Sequence, residues 1–290
     1  MGLERAHSHV VWTRWARHLA TRGMDALRLD CRGNGESTGR FEEMTFQRWE
    51  EDLREGLAYL RRERPGVPVV LHGLRLGALL AAHLFQTERV EGLLLWDPPE
   101  SGRAHLMEVL RRKVAADNLE GTGGPVRSRE DYIAQLEAGG LMEVEGFAWS
   151  PGLWKSAEGY ALALPAPDDA RPWRVVHLDG RTAERCLAPG HSRSVRTPRP
   201  FFWTTSNRLL PDLGELFDDS AAFAAGVGGR ERGGTVMREL RSAGREGATG
   251  CGGRTTPRPR GRRAGWASVF LNPGHVPRAG HGGLSARAAD

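Results

Sequence analysis

The sequence predicts an α/β protein built on a doubly wound, mostly parallel sheet. Two apolar segments, 67–71 and 90–96, enclose a helix of small residues at 78–85, with short connections on both sides. A strand, a helix and a second strand in this order make parallel neighbours joined by a right-handed crossover. Further apolar segments at 24–29 and 173–178 extend the same pattern of strands.

The helices around this unit are predicted from apolar periodicity and capping residues. Residues 8–21 carry apolar side chains at helical spacing, and Gly23 follows as a stop signal. Thr45 can cap a second helix that continues to about Arg62. The segment 101–160 is largely helical in pattern and long for a plain crossover, so we expect a helical cap inserted over the carboxyl edge of the sheet.

Hydrophobic content, the length of apolar runs and the cysteines exclude several classes of protein, among them membrane-spanning and disulfide-rich proteins. The 290 residues and the 39% hydrophobic content are sufficient for a buried core. No run approaches the ~18 apolar residues of a membrane span, and the N-terminal segment lacks the apolar run of a secretory signal. The scattered cysteines Cys31, Cys186 and Cys251 argue against a disulfide scaffold or a zinc site. We therefore expect a cytoplasmic protein without a metal or other cofactor.

Positive charge is concentrated in residues 226–290. This segment has 12 Arg, 4 acidic residues and 16 of the 38 glycines, and its only apolar stretch is WASVFL at 266–271. Such a composition buries too little surface to offset the ordering entropy, so the sequence predicts a disordered tail after a folded body at 1–225. A shifted reading frame is one origin of such a tail. The alternative is a basic arm for nucleic acid or anionic partners, but aromatic residues interleaved for base stacking are missing.

Two glycine-rich segments carry the most specific pattern. LDCRGNGESTG (29–39) follows a predicted strand, and VVLHGLRLGALLA (69–81) passes from a strand through a G-x-R-x-G turn into a helix. Together they resemble α/β-hydrolase-fold proteins, including the serine aminopeptidase and lysophospholipase-like branch. LLLWDPPESG (93–102) and RRKVAADNL (111–119) are similar to a subgroup, the type 2 hydrolase-like proteins associated with the exosortase A export system. The resemblance spans roughly residues 8–225.

This resemblance implies a nucleophile at the apex of the strand-to-helix turn. Gly73 and Gly77 match the small flanking residues of that turn, and the backbone N–H of Leu76 matches one oxyanion donor. The apex residue is Arg75, whose guanidinium stays protonated and cannot attack a carbonyl. We therefore expect no covalent acyl-enzyme at this position.

The resemblance also implies the other members of a triad. Asp179 matches the acid and His191 matches the base, in the family order of nucleophile, acid and base. Asp97 ends a predicted strand at the same edge and can either bind a ligand or neutralise Arg75. The first strand of the family, whose loop supplies a second oxyanion amide, has no counterpart at the start of the sequence, so we expect the sheet to lack it.

A dinucleotide site is the competing interpretation of Gly33, Gly35 and Gly39. That motif should open directly into a helix that receives the pyrophosphate. Here the chain passes three acidic residues before Thr45, and negative charge there repels phosphate. The sequence therefore favours a loop without a nucleotide.

Three functions stay open on this sequence. The first is a hydrolase of ester, amide or thioester bonds that uses another nucleophile, with Ser37 and Ser101 as candidates. The second is a non-catalytic protein that binds an acyl or anionic small molecule at Arg75, over the N-terminus of the following helix, or serves a partner in exopolysaccharide and protein-sorting systems. The third is a truncated, frame-shifted gene product. The oligomeric state is not predicted.

Overall fold

The computed structural model describes residues 2–35, 37–120, 127–178, 190–204, 211–227 and 267–271. In chain order its helices are α1 (Gly2–Thr21), α2 (Phe46–Glu63), α3 (Leu76–Thr87), α4 (Gly102–Glu120), α5 (Arg129–Glu137), α6 (Pro151–Ser156) and α7 (214–227). Its strands are β1 (Asp25–Leu29), β2 (Val69–Leu74), β3 (Gly92–Trp96), β4 (Met142–Val144), β5 (Phe147–Trp149), β6 (Trp173–His177), β7 (Ser192–Ser194) and β8 (Ala267–Leu271).

The main sheet confirms the predicted fold class. Within the described residues it has six strands in the order β1-β8-β2-β3-β6-β7, and every pair is parallel. Helix α3 connects the neighbours β2 and β3, as predicted for the central β-α-β unit. The strands therefore all end at one edge, called the carboxyl edge below.

Helices cover both faces of this sheet, so the fold is doubly wound. On one face α2, α3 and the elements of segment 101–160, called the cap below, pack around Trp49, Leu79 and Leu95. On the other face α1 and α7 pack around Trp15 and Trp96. Thr45 caps α2 as predicted, since its side chain accepts a hydrogen bond from the N–H of Arg48. None of the helices in the described part of the chain combines the length and apolar character that a membrane crossing requires.

The segment 101–160 differs from its predicted helical content at one place. Helices α4, α5 and α6 are present, but Met142–Trp149 form the antiparallel hairpin β4–β5. Glu145 and Gly146 form the turn with φ of +52° and +81°. Two consecutive residues with positive φ make the turn that matches the twist of a two-residue hairpin. The glycine of this turn is a hairpin signal in the sequence, which the helical interpretation missed.

Strand β8 comes from the segment that the sequence predicts to be a disordered tail. Ala267–Leu271 lie inside the sheet, between β1 and β2. The prediction and the structure differ here because a five-residue segment, apolar except for Ser268, suffices for a strand when both neighbouring strands supply backbone partners. For the remaining residues from 228 onward the disordered tail stays a prediction, since they lie outside the described residues.

Candidate functional site

The candidate site lies at the turn between β2 and α3, called the elbow below. Arg75 is the single residue between Leu74 and Leu76, and it has φ 53° and ψ −122°. A non-glycine residue in this region costs about 1–3 kcal/mol and persists only where its surroundings fix it. The N–H of Arg75 donates to the carbonyl of Trp96 at 2.9 Å, and its own carbonyl accepts from the N–H of Ala78 at 2.9 Å. These backbone bonds fix the conformation of the apex.

The close approach of two backbone segments explains why Gly73 precedes the apex. A Cβ atom at Gly73 would lie 2.3 Å from the carbonyl carbon and oxygen of Gly77 and 2.4 Å from the nitrogen of Ala78. Only a glycine allows the chain to double back at this distance. The structure therefore has the sharp strand-to-helix turn that the resemblance implies.

The side chain of Arg75 forms buried ion pairs with two carboxylates. It is 7% exposed, and its Nη1 atom lies 3.2 Å from Oδ2 of Asp97. Its Nη2 atom donates to the carboxylate of Glu108 on α4. Burial lowers the pKa of Arg75, but the negative charges of Glu4, Glu108 and Asp97 outweigh this effect and raise the pKa above its ordinary value. Arg75 is therefore a permanent cation.

A larger charged network connects the elbow to α1 and the cap. Arg112 is its second cation: Nη2 lies 3.2 Å from Glu4, Nη1 lies 3.4 Å from Glu108, and Nε lies 3.2 Å from Glu145. His105, which is fully buried, has Nε2 at 3.5 Å from the carboxylate of Glu4. The network thus joins α1, α4 and the turn of the β4–β5 hairpin at the carboxyl edge.

Burial and charge determine which members of the network are ionised. Burial lowers the pKa of His105 well below its ordinary value, so the imidazole is neutral at neutral pH. Burial raises the pKa of Glu4, but nearby positive charges, Arg75 and Arg112 among them, outweigh it and lower the pKa below the usual range. Glu4 is therefore a buried carboxylate.

No three His, Cys, Asp or Glu side chains among the described residues are placed to bind a metal ion.

The structure brings all five sequence-predicted binding residues together. Gly73, Arg75, Leu76 and Gly77 form the elbow, and Asp97 lies beside it at the end of β3. The interpretation of Asp97 as the neutralising partner of Arg75 agrees with the ion pair.

The structure does not bring His191 to the elbow. The carbonyl of His191 accepts from the N–H of Val175, and its ring stacks on Trp173 with a centroid distance of 4.0 Å. Trp173 pairs with Leu93 near the start of β3, whereas the elbow pairs with Trp96 at its end. That offset is roughly 10 Å along the strands, so His191 lies toward the amino edge. The other proposed triad residue, Asp179, lies outside the described residues.

The two alternative nucleophiles have structural hydrogen bonds. The Ser37 hydroxyl donates to the carbonyl of Asp30, within the loop after β1. The Ser101 hydroxyl accepts from the N–H of Ala104 at 3.0 Å, at the start of α4. Neither hydroxyl contacts an imidazole anywhere in the described ranges, so neither has the neighbouring base that would activate it.

Besides Glu145 in the turn of the hairpin, four residues of the network were not predicted from the sequence: Glu4, His105, Glu108 and Arg112. The last three recur at intervals of three and four residues, which places them on one face of α4. Charged and titratable residues at this spacing, on a helix expected to cover the sheet, are the signal that could have identified them. No comparable signal points to Glu4.

A comparison with protein families covers the elbow and most of its network. Residues 4–115 match the family model described as serine aminopeptidase, S33. This part of the chain is similar to that family. The match extends from α1 to α4, and together with the parallel sheet it supports an α/β-hydrolase fold. No curated protein matches the sequence. The matched residues include Arg75 at the apex of the elbow.

Proposed function

We propose that this α/β-hydrolase-fold protein lacks the serine mechanism at its elbow and binds an anionic small molecule there without cleaving it. The observation that carries the proposal is the position of Arg75, which occupies the apex with a strained backbone and a buried, paired guanidinium. A guanidinium can bind a carboxylate or phosphate through two parallel hydrogen bonds but cannot form an acyl intermediate.

Two features of the elbow support an anion as the ligand. The Nε atom of Arg75 is buried and has no hydrogen-bond acceptor among the described residues. The N–H groups of Leu76 and Gly77 at the start of α3 have no acceptor within the helix and contribute to its positive end, whereas those of Ala78 and Leu79 donate to the carbonyl of Arg75. Both features place donors at the carboxyl edge, where ligands bind in sheets of this type.

Glu108 is the group that such an anion would replace. Its side chain is 39% exposed, whereas that of Asp97 is 7% exposed. Glu108 lies on α4, in the cap, and Asp97 lies on the sheet itself. A ligand carboxylate or phosphate can therefore take the place of the Glu108 carboxylate on Nη2 while the pair of Arg75 with Asp97 remains.

Thermal unfolding in inorganic phosphate or acetate tests this proposal. With chloride as the control at matched ionic strength, Glu108→Gln should show the largest rise in Tm, because Arg75 then lacks a competing carboxylate. The wild type should show a smaller rise and Arg75→Ala none. Glu143→Gln, which removes an exposed carboxylate of the cap, should respond as the wild type does. Equal responses from Arg75→Ala and the wild type would contradict anion binding at Arg75.

Hydrolysis by another residue is the second candidate, supported by the similarity to S33 serine aminopeptidases. Turnover of p-nitrophenyl acetate tests it against a heat-treated sample. Our proposal predicts no turnover above that control. Turnover that disappears in Ser37→Ala or Ser101→Ala, but persists in Arg75→Ala, would support this second candidate instead.

A narrower proposal is that the protein belongs to the exosortase-associated branch as an accessory protein of exopolysaccharide or protein sorting. It rests on the similarity of residues 93–102 and 111–119 to that subgroup. These residues include Asp97 and Arg112, two members of the network around the elbow. An exosortase gene beside the gene for this protein would support the link, and its consistent absence from related genomes would contradict it.

The third open function, a frame-shifted product, is not favoured by the position of β8. An out-of-frame tail has no reason to contain a strand whose backbone pairs with two strands of the body, as Ala267–Leu271 do. Sequencing of the upstream and downstream DNA tests this alternative directly.

A further inference from the structure

We propose that the space between β1 and β2 is a strand-accepting site, and that its occupant is the C-terminal strand β8 of the same chain. The proposal concerns the integrity of the sheet and does not depend on the ligand of the elbow. It assigns a role to a segment whose composition predicts disorder.

Pairing on both sides makes β8 an interior strand. Its five residues pair with β1 from Asp25↔Ala267 to Leu29↔Leu271, and with β2 from Val69↔Ala267 to Gly73↔Leu271. Without β8 the flanking strands would be about 10 Å apart, which is twice the distance at which strands can pair. The facing N–H and C=O groups of β1 and β2 would then need water or another strand as partners.

The sequence of the occupant suits such a site. Interior strands of parallel sheets are buried on both faces and read as continuous apolar runs. Ala267–Leu271 has the sequence ASVFL, with a β-branched and an aromatic residue, between flanks rich in Gly, Pro and Arg. Val269 pairs with Leu27 on one side and Leu71 on the other, and α2 and α3 lie over the strand.

The chain can reach this site without help from a second copy. Helix α7 is described as far as Val227, whose side chain packs beside Gly92 at the start of β3. Strand β8 starts beside Val69, two strand spacings away, or about 10 Å. The 39 residues 228–266 can span that distance many times over. A tethered strand has an effective concentration in the millimolar range, so it should outcompete the strand of another copy at micromolar protein concentration.

The spatial arrangement of neighbouring elements indicates that the fold needs a strand in this place. Glu4 near the start of α1 contacts the network at the carboxyl edge, and α1 then returns to the start of β1 at the amino edge. Strand β8 lies parallel to and next to β1. In space, β8, α1 and β1 therefore form a β-α-β unit, although β8 comes last in the chain. Its last residue pairs with Gly73, so β8 also supports the strand that leads into the elbow.

Hydrogen exchange of the full-length protein tests the inference. We expect the amides of residues 268–271 to exchange at least about 100-fold more slowly than in an unstructured peptide, because they pair inside a sheet. Light scattering on the same sample should give the mass of a monomer, so that the protection can be assigned to a single chain. Exchange at the rate of an unstructured chain would overturn the proposal. Protection confined to a dimer would overturn the assignment of the occupant to the same chain.

A matched pair of proline variants gives an independent readout. Val269→Pro removes a backbone donor from an interior strand and should lower Tm by about 5 °C or more, with faster exchange of the β1 amides. Val236→Pro places the same residue in the segment before β8 and should leave Tm and exchange unchanged. Identical behaviour of the two variants would overturn the proposal.

Discussion

The guanidinium of Arg75 and the carboxylate of Asp97 form a buried ion pair, 3.2 Å long, between the ends of two neighbouring strands. Both residues have positive φ, 53° at Arg75 and 45° at Asp97. Two strained residues of opposite charge thus lie in contact at the elbow, where we propose that the serine mechanism is lost. The two strained backbones hold the guanidinium and the carboxylate in contact. Arg75 also connects this pair to the cap, because it donates to the carboxylate of Glu108.

Removal of the guanidinium should destabilise the protein. Arg75→Ala takes away the cation that pairs with the buried Asp97, and we expect a loss of about 3 kcal/mol in the free energy of unfolding. Arg75→Gly removes the same cation but relieves the strain at φ 53°, so it should be less destabilised by about 1 kcal/mol. Urea denaturation of both variants measures the difference. Greater stability of the alanine variant would contradict the strained apex.

The close packing of the elbow should make Gly73 intolerant of any side chain. Gly73→Ala places a Cβ 2.3 Å from backbone atoms of Gly77, so β2 and α3 must separate. We expect a loss of about 3 kcal/mol or more, because backbone atoms cannot move aside at low cost. Gly159→Ala is the matched control, since no atom lies within 4 Å of its added Cβ. Urea denaturation should show little change for the control; similar losses in both variants would contradict the turn geometry.

Arg112 should contribute more to stability than an exposed arginine of the cap. Arg112→Gln removes ion pairs to Glu4, Glu108 and Glu145, of which the Glu4 carboxylate is 7% exposed. Loss of a partner by a buried charge costs about 3 kcal/mol. Within the described residues Arg129 pairs with the exposed Glu130, so Arg129→Gln should cost less than about 0.5 kcal/mol. Equal unfolding free energies for the two variants, measured in urea, would show that the network is not stabilising.

Two buried histidines should make the protein less stable in mild acid. Burial lowers the pKa of His72 and of His105 well below the ordinary value, so the folded protein keeps both neutral. Below about pH 6.5 the unfolded chain binds protons at these residues and the folded chain does not, so the free energy of unfolding falls as the pH falls. The slope should reach up to about 1.4 kcal/mol per pH unit for each histidine.

Urea denaturation between about pH 8 and pH 5 measures this slope, above the range in which carboxylates titrate. His105→Gln removes one of the two groups and should reduce the slope, whatever its effect on stability at pH 8. A slope that is unchanged in His105→Gln would contradict a neutral, buried imidazole at this position.

The central part of the fold could be predicted because local patterns and tertiary structure agree there. Residues 67–96 have a buried strand, two glycines around a turn, a helix of small residues and another buried strand, and each signal is local. The structure places β2, the elbow, α3 and β3 in these residues. Asp97 could be placed beside Arg75 because parallel strands end at the same edge of a sheet.

The parts that sequence reasoning missed depend on contacts between distant segments. Glu4 and Arg112 are 108 residues apart, and nothing local to either residue indicates the other. The family order of nucleophile, acid and base supported His191 as a base, whereas the register of β6 and β7 places it toward the amino edge. The short run ASVFL looks like a fragment within a disordered tail until the partners of β8 on both sides are known.

The intact mass of the protein after incubation with a fluorophosphonate probe tests the central claim most directly. This reagent modifies an activated serine hydroxyl covalently. In the described structure Arg75 is at the apex, and the hydroxyls of Ser37 and Ser101 form hydrogen bonds to the backbone and do not contact an imidazole. We predict an unchanged mass for the wild type, with a serine hydrolase labelled in parallel as the positive control. A stoichiometric mass increase, mapped by peptide analysis to one residue and abolished by prior heating, would contradict the loss of the serine mechanism.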